Sequence, residues 1–110
     1  MNDCIFCKIN IGEIPSKKFY EDDNFFIIQD INPKANKHYL AIPKKHYALL
    51  SEQEQEDIIV LGKILNTIPK IAKQLGIENG YRLIINQGED GRQEVKHLHI
   101  HILGGEKLPE

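Results

Sequence analysis

The sequence predicts an α+β fold, and three observations carry that expectation. Leu61, Ile64, Leu65, Ile68, Ala72 and Leu75 recur at helical spacing, the apolar stripe of one long helix packed on a core. Short runs rich in β-branched and aromatic residues lie before and after it, each bounded by turn residues, as strands are. The last two runs are joined by Gln87–Arg92, too short for a crossover helix, so they should pair antiparallel. A single domain over residues 1–110 is expected: an antiparallel sheet of about five strands, one short N-terminal helix and one long central helix.

Each element has its own signal. A short helix is expected from Cys4 to Ile11, stopped by Gly12 and by the Ile14-Pro15 pair. Lys18–Glu21 reads as a short strand, followed by turn chemistry at Asp22-Asp23-Asn24. Phe25–Asp30 and His38–Pro43 are the next strands, separated by the loop Ile31–Asn36, and Pro43 marks a strand end or an edge. Ser51 and Glu54 are spaced as a capping box that starts the long helix. Pro69 interrupts that helix's pattern and removes a backbone bond, so a kink or break is expected near Ile68. Gly76 fits the C-terminal cap, Asn79-Gly80 a turn, and Tyr81–Asn86 the fourth strand.

Composition narrows the function. Fourteen basic against sixteen acidic residues give a net charge of −2, which leaves no electrostatic footprint for a nucleic-acid partner. No apolar run approaches the ~18–20 residues of a membrane span. The start, Met1-Asn2-Asp3-Cys4, lacks the basic and apolar regions of a signal peptide, so a cytoplasmic protein is expected. In a reducing cytosol the pair Cys4 and Cys7 reads as a metal-binding knuckle rather than a disulfide, although two buried thiols fit the spacing as well.

The chemistry concentrates in Val95–Gly105, which holds three of the chain's five histidines. His97, His99 and His101 alternate with Leu98, Ile100 and Ile102. A period of two places the histidines on one face of a strand, about 7 Å apart, and the aliphatic residues in a core. Three imidazoles so arranged suit a phosphate or a metal. A neutral imidazole nitrogen attacks phosphorus readily near pH 7, provided an acceptor holds the proton on the other nitrogen.

His97 to Leu103 resembles the motif of the histidine triad (HIT) family of nucleotide hydrolases and transferases, His-φ-His-φ-His-φ-φ with φ apolar, and Gly104-Gly105 is similar to its Hint branch. The resemblance extends from Cys4–Ile9 through Asp30–Pro33 and Ile42–His46 to Gly105. It implies a HIT-like fold whose sheet continues across a two-fold homodimer. It implies hydrolysis of nucleoside 5′-phosphoramidates, or related α-phosphate-substituted purine nucleotides, through a nucleotidyl-histidine intermediate. The nucleophile would be His99, with its tautomer fixed by the His97 carbonyl and with His101 on the phosphate oxygens. His38 and Asn86 match positions that contact phosphate, Asp30 the carboxylate on the ribose hydroxyls, and Ile31, Ile5 and Phe6 an apolar clamp on the base. Relatives with the cysteine pair bind a structural zinc, here through Cys4, Cys7, His46 and His97; no catalytic metal or organic cofactor is implied.

Three positions depart from the pattern. Glu94 stands where many relatives carry a phosphate-binding serine and would act through its backbone N–H or turn away; Arg92 replaces a frequent glycine and Lys96 an aromatic. Other readings of the same residues are a dinucleoside polyphosphate hydrolase, a hydrolase with a catalytic metal on the three histidines, and a nucleotide-binding regulatory protein whose catalysis is incidental.

Overall fold

The protein was analysed as a computed structural model that describes residues 3–110. Its strands are β1 (Tyr20–Glu21), β2 (Phe25–Gln29), β3 (Lys37–Pro43), β4 (Tyr81–Ile84) and β5 (Ile100–Gly104). Its helices are α1 (Ile5–Asn10) and α2 (Gln55–Leu75), with a 3₁₀ turn at Leu50–Glu52. The strands form one sheet in the order β1-β2-β3-β5-β4, every pair antiparallel, as expected for the last two.

Both faces of this sheet are covered, which is why β2 and β3 read as continuous apolar runs rather than alternating ones. Phe25, Ile27, Tyr39, Ala41, Ile100 and Ile102 meet Ile64, Ile68, Ala72 and Leu75 of α2. Phe26, Ile28, Leu40 and Ile42 face the other way and pack on Phe6 and Ile9 of α1. The second layer is thin, and the histidine site opens beside it.

Several elements differ from expectation. The capping box does not use Ser51, which lies in the 3₁₀ turn. The long helix starts later: Glu54 is its N-cap, and its backbone N–H donates to the buried Asp57 carboxylate at 2.9 Å. Helix α2 then runs through Pro69 without a break. Pro69 is exposed, so the lost bond falls on the solvent side, while Ile64, Ile68 and Ala72 hold the buried side in register. Leu65 belongs to the expected stripe but is 44% exposed, beside exposed Ile58 and Ile59 on the same helix. Gly76 caps the helix as expected, at φ 75°. No helix among the described residues is long and apolar enough to cross a membrane.

Strand β5 begins at Ile100, not at Val95: its ladder with β3 stops at the pair Ala41 and Ile100, two residues before β3 itself ends. Pro43 closes β3, and the backbone N–H of Leu98 donates instead to Tyr47 O at 2.7 Å. His97 and His99 thus precede the strand, His97 at the end of a bend and both outside the β3 ladder, and this frees their rings to diverge.

Candidate active site and metal centre

His38 on β3 and His101 on β5 share the α1 face, since Leu40, two residues from His38, pairs with His101. The backbone N–H of Lys34 donates to His38 Nδ1 at 3.0 Å, so the proton of a neutral His38 sits on Nε2. That proton is donated to His101 Nδ1, 2.9 Å away. His101 in turn must carry its proton on Nε2, which faces the Asn86 amide at 3.4 Å. The Asn86 atom nearest to it is Nδ2, and a half-turn of that amide presents the oxygen as acceptor instead. Asp30 Oδ2 lies 3.4 Å from His38 Nε2 and 4.0 Å from His101 Nδ1. Its Oδ1 accepts the Asn32 N–H at 2.8 Å. A chain of fixed protons thus runs from the Lys34 amide to the outer nitrogen of His101.

His99 is oriented differently. Its Nδ1–H donates to the His97 carbonyl at 2.7 Å, which leaves Nε2 with its lone pair. The ring is 6% exposed, stands 5.0 Å from that of His101 and meets the edge of Phe6 at 5.1 Å. Burial holds its pKa below the ordinary value, against the His97 carbonyl and the Asp30 and Glu94 charges, which push it up. A neutral, single-tautomer imidazole is what nucleophilic attack requires.

His97 was expected on the same face as the other two, and its ring leaves them. Its Nε2–H donates to Pro43 O at 2.7 Å, so Nδ1 carries the lone pair. That nitrogen stands 3.3 Å from Cys4 Sγ, 3.6 Å from Cys7 Sγ and 3.1 Å from His46 Nδ1, with Cys7 Sγ to His46 Nδ1 at 3.4 Å. The four donor atoms lie within 4.8 Å of one another. A tetrahedral zinc with bonds of about 2.3 Å to sulfur and 2.0 Å to nitrogen sets S···N near 3.5 Å and N···N near 3.3 Å. The donors of Cys4, Cys7, His46 and His97 therefore sit at the corners such an ion needs, with the Pro43 carbonyl as the outer partner that fixes the His97 tautomer. Lys45 bridges Glu54, Glu56 and Asp57 and so ties the segment before His46 to the start of α2.

This divergence argues against three histidines on one catalytic metal, since the His97 and His99 rings are committed to Pro43 and to the His97 carbonyl. Asp30, His38 and His101 also form a group of potential ligands. The 2.9 Å separation there, and the proton that Lys34 forces onto His38 Nε2, make it a hydrogen-bonded pair.

The residues matched to a base clamp read as plain core without the resemblance. Phe6 is core at 5% exposure, but Ile5 is 43% and Ile31 90% exposed. Each exposed isoleucine adjoins a site residue in sequence, Ile5 next to Phe6 and Ile31 next to Asp30. Glu94 is exposed, and Arg92 has φ 61°, a left-handed backbone that explains why glycine suits that position.

One residue that sequence reasoning missed is Gln93. It is 4% exposed; its Nε2 donates to Ala48 O at 2.8 Å, and its Oε1 accepts the Gly88 N–H at 3.0 Å. It buckles the loop between Asn86 and Glu94 onto the segment before the 3₁₀ turn. That loop is closed so tightly that a Cβ at Gly91 would stand 2.3 Å from Gln87 O. A glutamine in a polar loop gives no local signal of burial. Gln93→Ala is expected to cost about 2 kcal/mol by removing the partners of two half-buried backbone groups, measured by urea unfolding. It should also raise KM, since the loop holds Asn86.

Acid should destabilise the fold through the same cluster. Burial, then the neighbouring His99 and His38, push His101 from its ordinary 6.5 down to about 4. Below its ordinary pKa the unfolded chain takes up a proton that the folded chain refuses. Stability is therefore full above pH ~6.5, falls as pH drops and levels off near 4. Urea midpoints at several pH values should show that slope, and His101→Asn should lessen it, leaving the part due to buried His97, which is also pushed down to about 4.

The geometry has counterparts in known proteins. Residues 11–108 match the family model of the HIT domain. Protein HitA of Neisseria gonorrhoeae is 47% identical over 104 residues, 94% of this chain and 97% of HitA. The solved structure of a HIT family hydrolase from Clostridium thermocellum is similar at a TM-score of 0.92 and 44% identity, covering 100% of this chain and 96% of that one. A zinc-bound histidine triad family protein from Mycobacterium smegmatis is similar at a TM-score of 0.82 and 33% identity, covering 96% of this chain and 76% of that one. Matched along nearly its whole length, this chain belongs to the HIT domain family.

Proposed function

We propose that this protein is a hydrolase of nucleoside 5′-phosphoramidates and related α-phosphate-substituted nucleoside monophosphates, with purine preferred. The observation that carries the reading is the 2.7 Å bond from His99 Nδ1 to the His97 carbonyl, which leaves one imidazole nitrogen free to attack. The similarity to a HIT family hydrolase supports the reaction class. In this reading His99 Nε2 attacks the α-phosphorus and the phosphorus–nitrogen bond breaks. The leaving nitrogen takes a proton from solvent and departs as an amine. Water then attacks phosphorus, the Nε2–phosphorus bond breaks, and the nucleotide leaves while a proton goes to solvent. His101 Nε2–H, aligned through His38, donates to a phosphate oxygen with Asn86 beside it. Asp30 accepts ribose hydroxyls, and Ile5, Ile31 and Phe6 flank the base.

Cys4, Cys7, His46 and His97 would hold a structural zinc; a zinc-bound family member supports that identity. A bound zinc would supply no reacting group, only a closed crosslink between α1 and the sheet. A two-fold homodimer also belongs to the proposal. Strand β4 is an edge of the sheet, and Ile84 on it and Ile58, Ile59 and Leu65 on α2 are exposed apolar residues that a second copy would cover.

The test is AMP release from adenosine 5′-phosphoramidate beside diadenosine tetraphosphate, with samples quenched in base to preserve a phosphorus–nitrogen adduct. Faster release from the phosphoramidate, with adenylate recovered on His99, is the expected result. Faster release from the dinucleotide moves the reading to that substrate class. Nucleotide binding without turnover of either makes the protein a regulatory module.

A further inference from the structure

We propose that Phe6 and the His97 ring are positioning residues that tie the four-donor cluster to His99, so that filling the cluster sets the geometry of the nucleotide site. The inference rests on the reading of His99 as nucleophile.

Two separate links join the sites. The first runs through His97, which is held at three points: Nδ1 among the donors, Nε2 on Pro43 O, and its carbonyl on His99 Nδ1. A ring fixed at both nitrogens resists rotation, and the carbonyl two bonds from its Cβ inherits that fixity. The second link runs through α1. Phe6 lies between the two cysteines in sequence, and its ring is edge-on to His97 at 5.8 Å and to His99 at 5.1 Å. Ile5, its neighbour in sequence, is exposed.

Helix α1 is only six residues long and has no side-chain hydrogen bond at its N-cap. A helix this short does not hold itself, so its place depends on its anchors. Those are the buried Phe6 and Ile9 and the cysteine pair. Metal on Cys4 and Cys7 therefore fixes Phe6 against the His99 ring and Ile5 beside the base. Metal and nucleotide favour the same arrangement, and linkage makes the effect reciprocal: each must tighten the other by the same factor.

The test measures binding. Zinc affinity of the whole protein is read by competition with a chromogenic chelator, with and without saturating AMP; AMP affinity is read with and without zinc. The expected result is a mutual tightening of at least about fivefold. Nitrogen NMR at fixed pH should show one His99 tautomer in the zinc form and a mixture in the zinc-free form. Phe6→Ala should keep one zinc per chain and lose most of the tightening. Equal zinc affinities with and without AMP overturn the proposal, as does Phe6→Ala with the full factor. Should the zinc-free protein lose its circular dichroism, His46→Ala removes an exposed ligand and provides a folded, weaker-binding form for the same measurements. Turnover without linkage sinks this inference alone; linkage without turnover sinks the hydrolase reading alone.

Discussion

His99→Ala is expected to lower kcat/KM for adenosine 5′-phosphoramidate by about 10⁴-fold or more, the scale seen when a covalent nucleophile is removed. No neighbouring group is placed to substitute. His97 has one ring nitrogen on Pro43 and the other among the metal donors, and its carbonyl loses its partner in the variant. His38 is locked by the Lys34 amide and gives its one proton to His101. His101 presents an N–H rather than a lone pair towards Asn86, so it can donate but not attack. The variant should still bind AMP, because Asp30, Asn86 and the isoleucines are untouched. His38→Asn should cost far less, about 10- to 100-fold, because it acts through another ring. AMP release read by chromatography decides between them. A loss below about 100-fold for His99→Ala would move the nucleophile elsewhere.

The parts of this site that were legible from residues alone are those set by local periodicity. Alternation placed His99 and His101 on one side and Ile100 and Ile102 in the core, and both aliphatic residues are fully buried. It misplaced His97, because the period of two holds only where a strand has a neighbour, and the ladder with β3 stops at Ile100, before His97 is reached. The metal cluster joins residues up to 93 positions apart, a long-range fact that no window along the chain contains. It was named through the family resemblance. Gly104 marks a limit of a different kind: read as a branch signature, it also has a packing reason, since a Cβ there would stand 2.8 Å from Ile77 Cγ2. Pro69 does not break α2, whose buried side packs on the sheet, and the capping-box spacing at Ser51 falls on a 3₁₀ turn instead of the helix start. Leu65 followed the helical period, but α2 turns that edge of its stripe away from the sheet.

His97→Ala is expected to be the most destabilising change at the site, by about 4 kcal/mol, because three losses coincide. The ring is 1% exposed, so its removal leaves a cavity. The Pro43 carbonyl loses its donor, which costs about 1–3 kcal/mol for a buried group. The metal loses one of four donors. His46→Ala removes only the last of these, since His46 is exposed. For a domain of this size 4 kcal/mol lowers Tm by roughly 15–20 °C, measurable by thermal unfolding followed by circular dichroism. The measurement should be made twice, in zinc and in chelator. With the metal stripped, His46→Ala should unfold with the wild type, while His97→Ala should stay below both by the cost of its cavity and its orphaned carbonyl. His97→Gln, which offers an amide donor to Pro43, should recover part of that remainder. If His97→Ala instead coincides with the wild type in chelator, the Pro43 bond contributes nothing, and the ring is held in place by the metal alone.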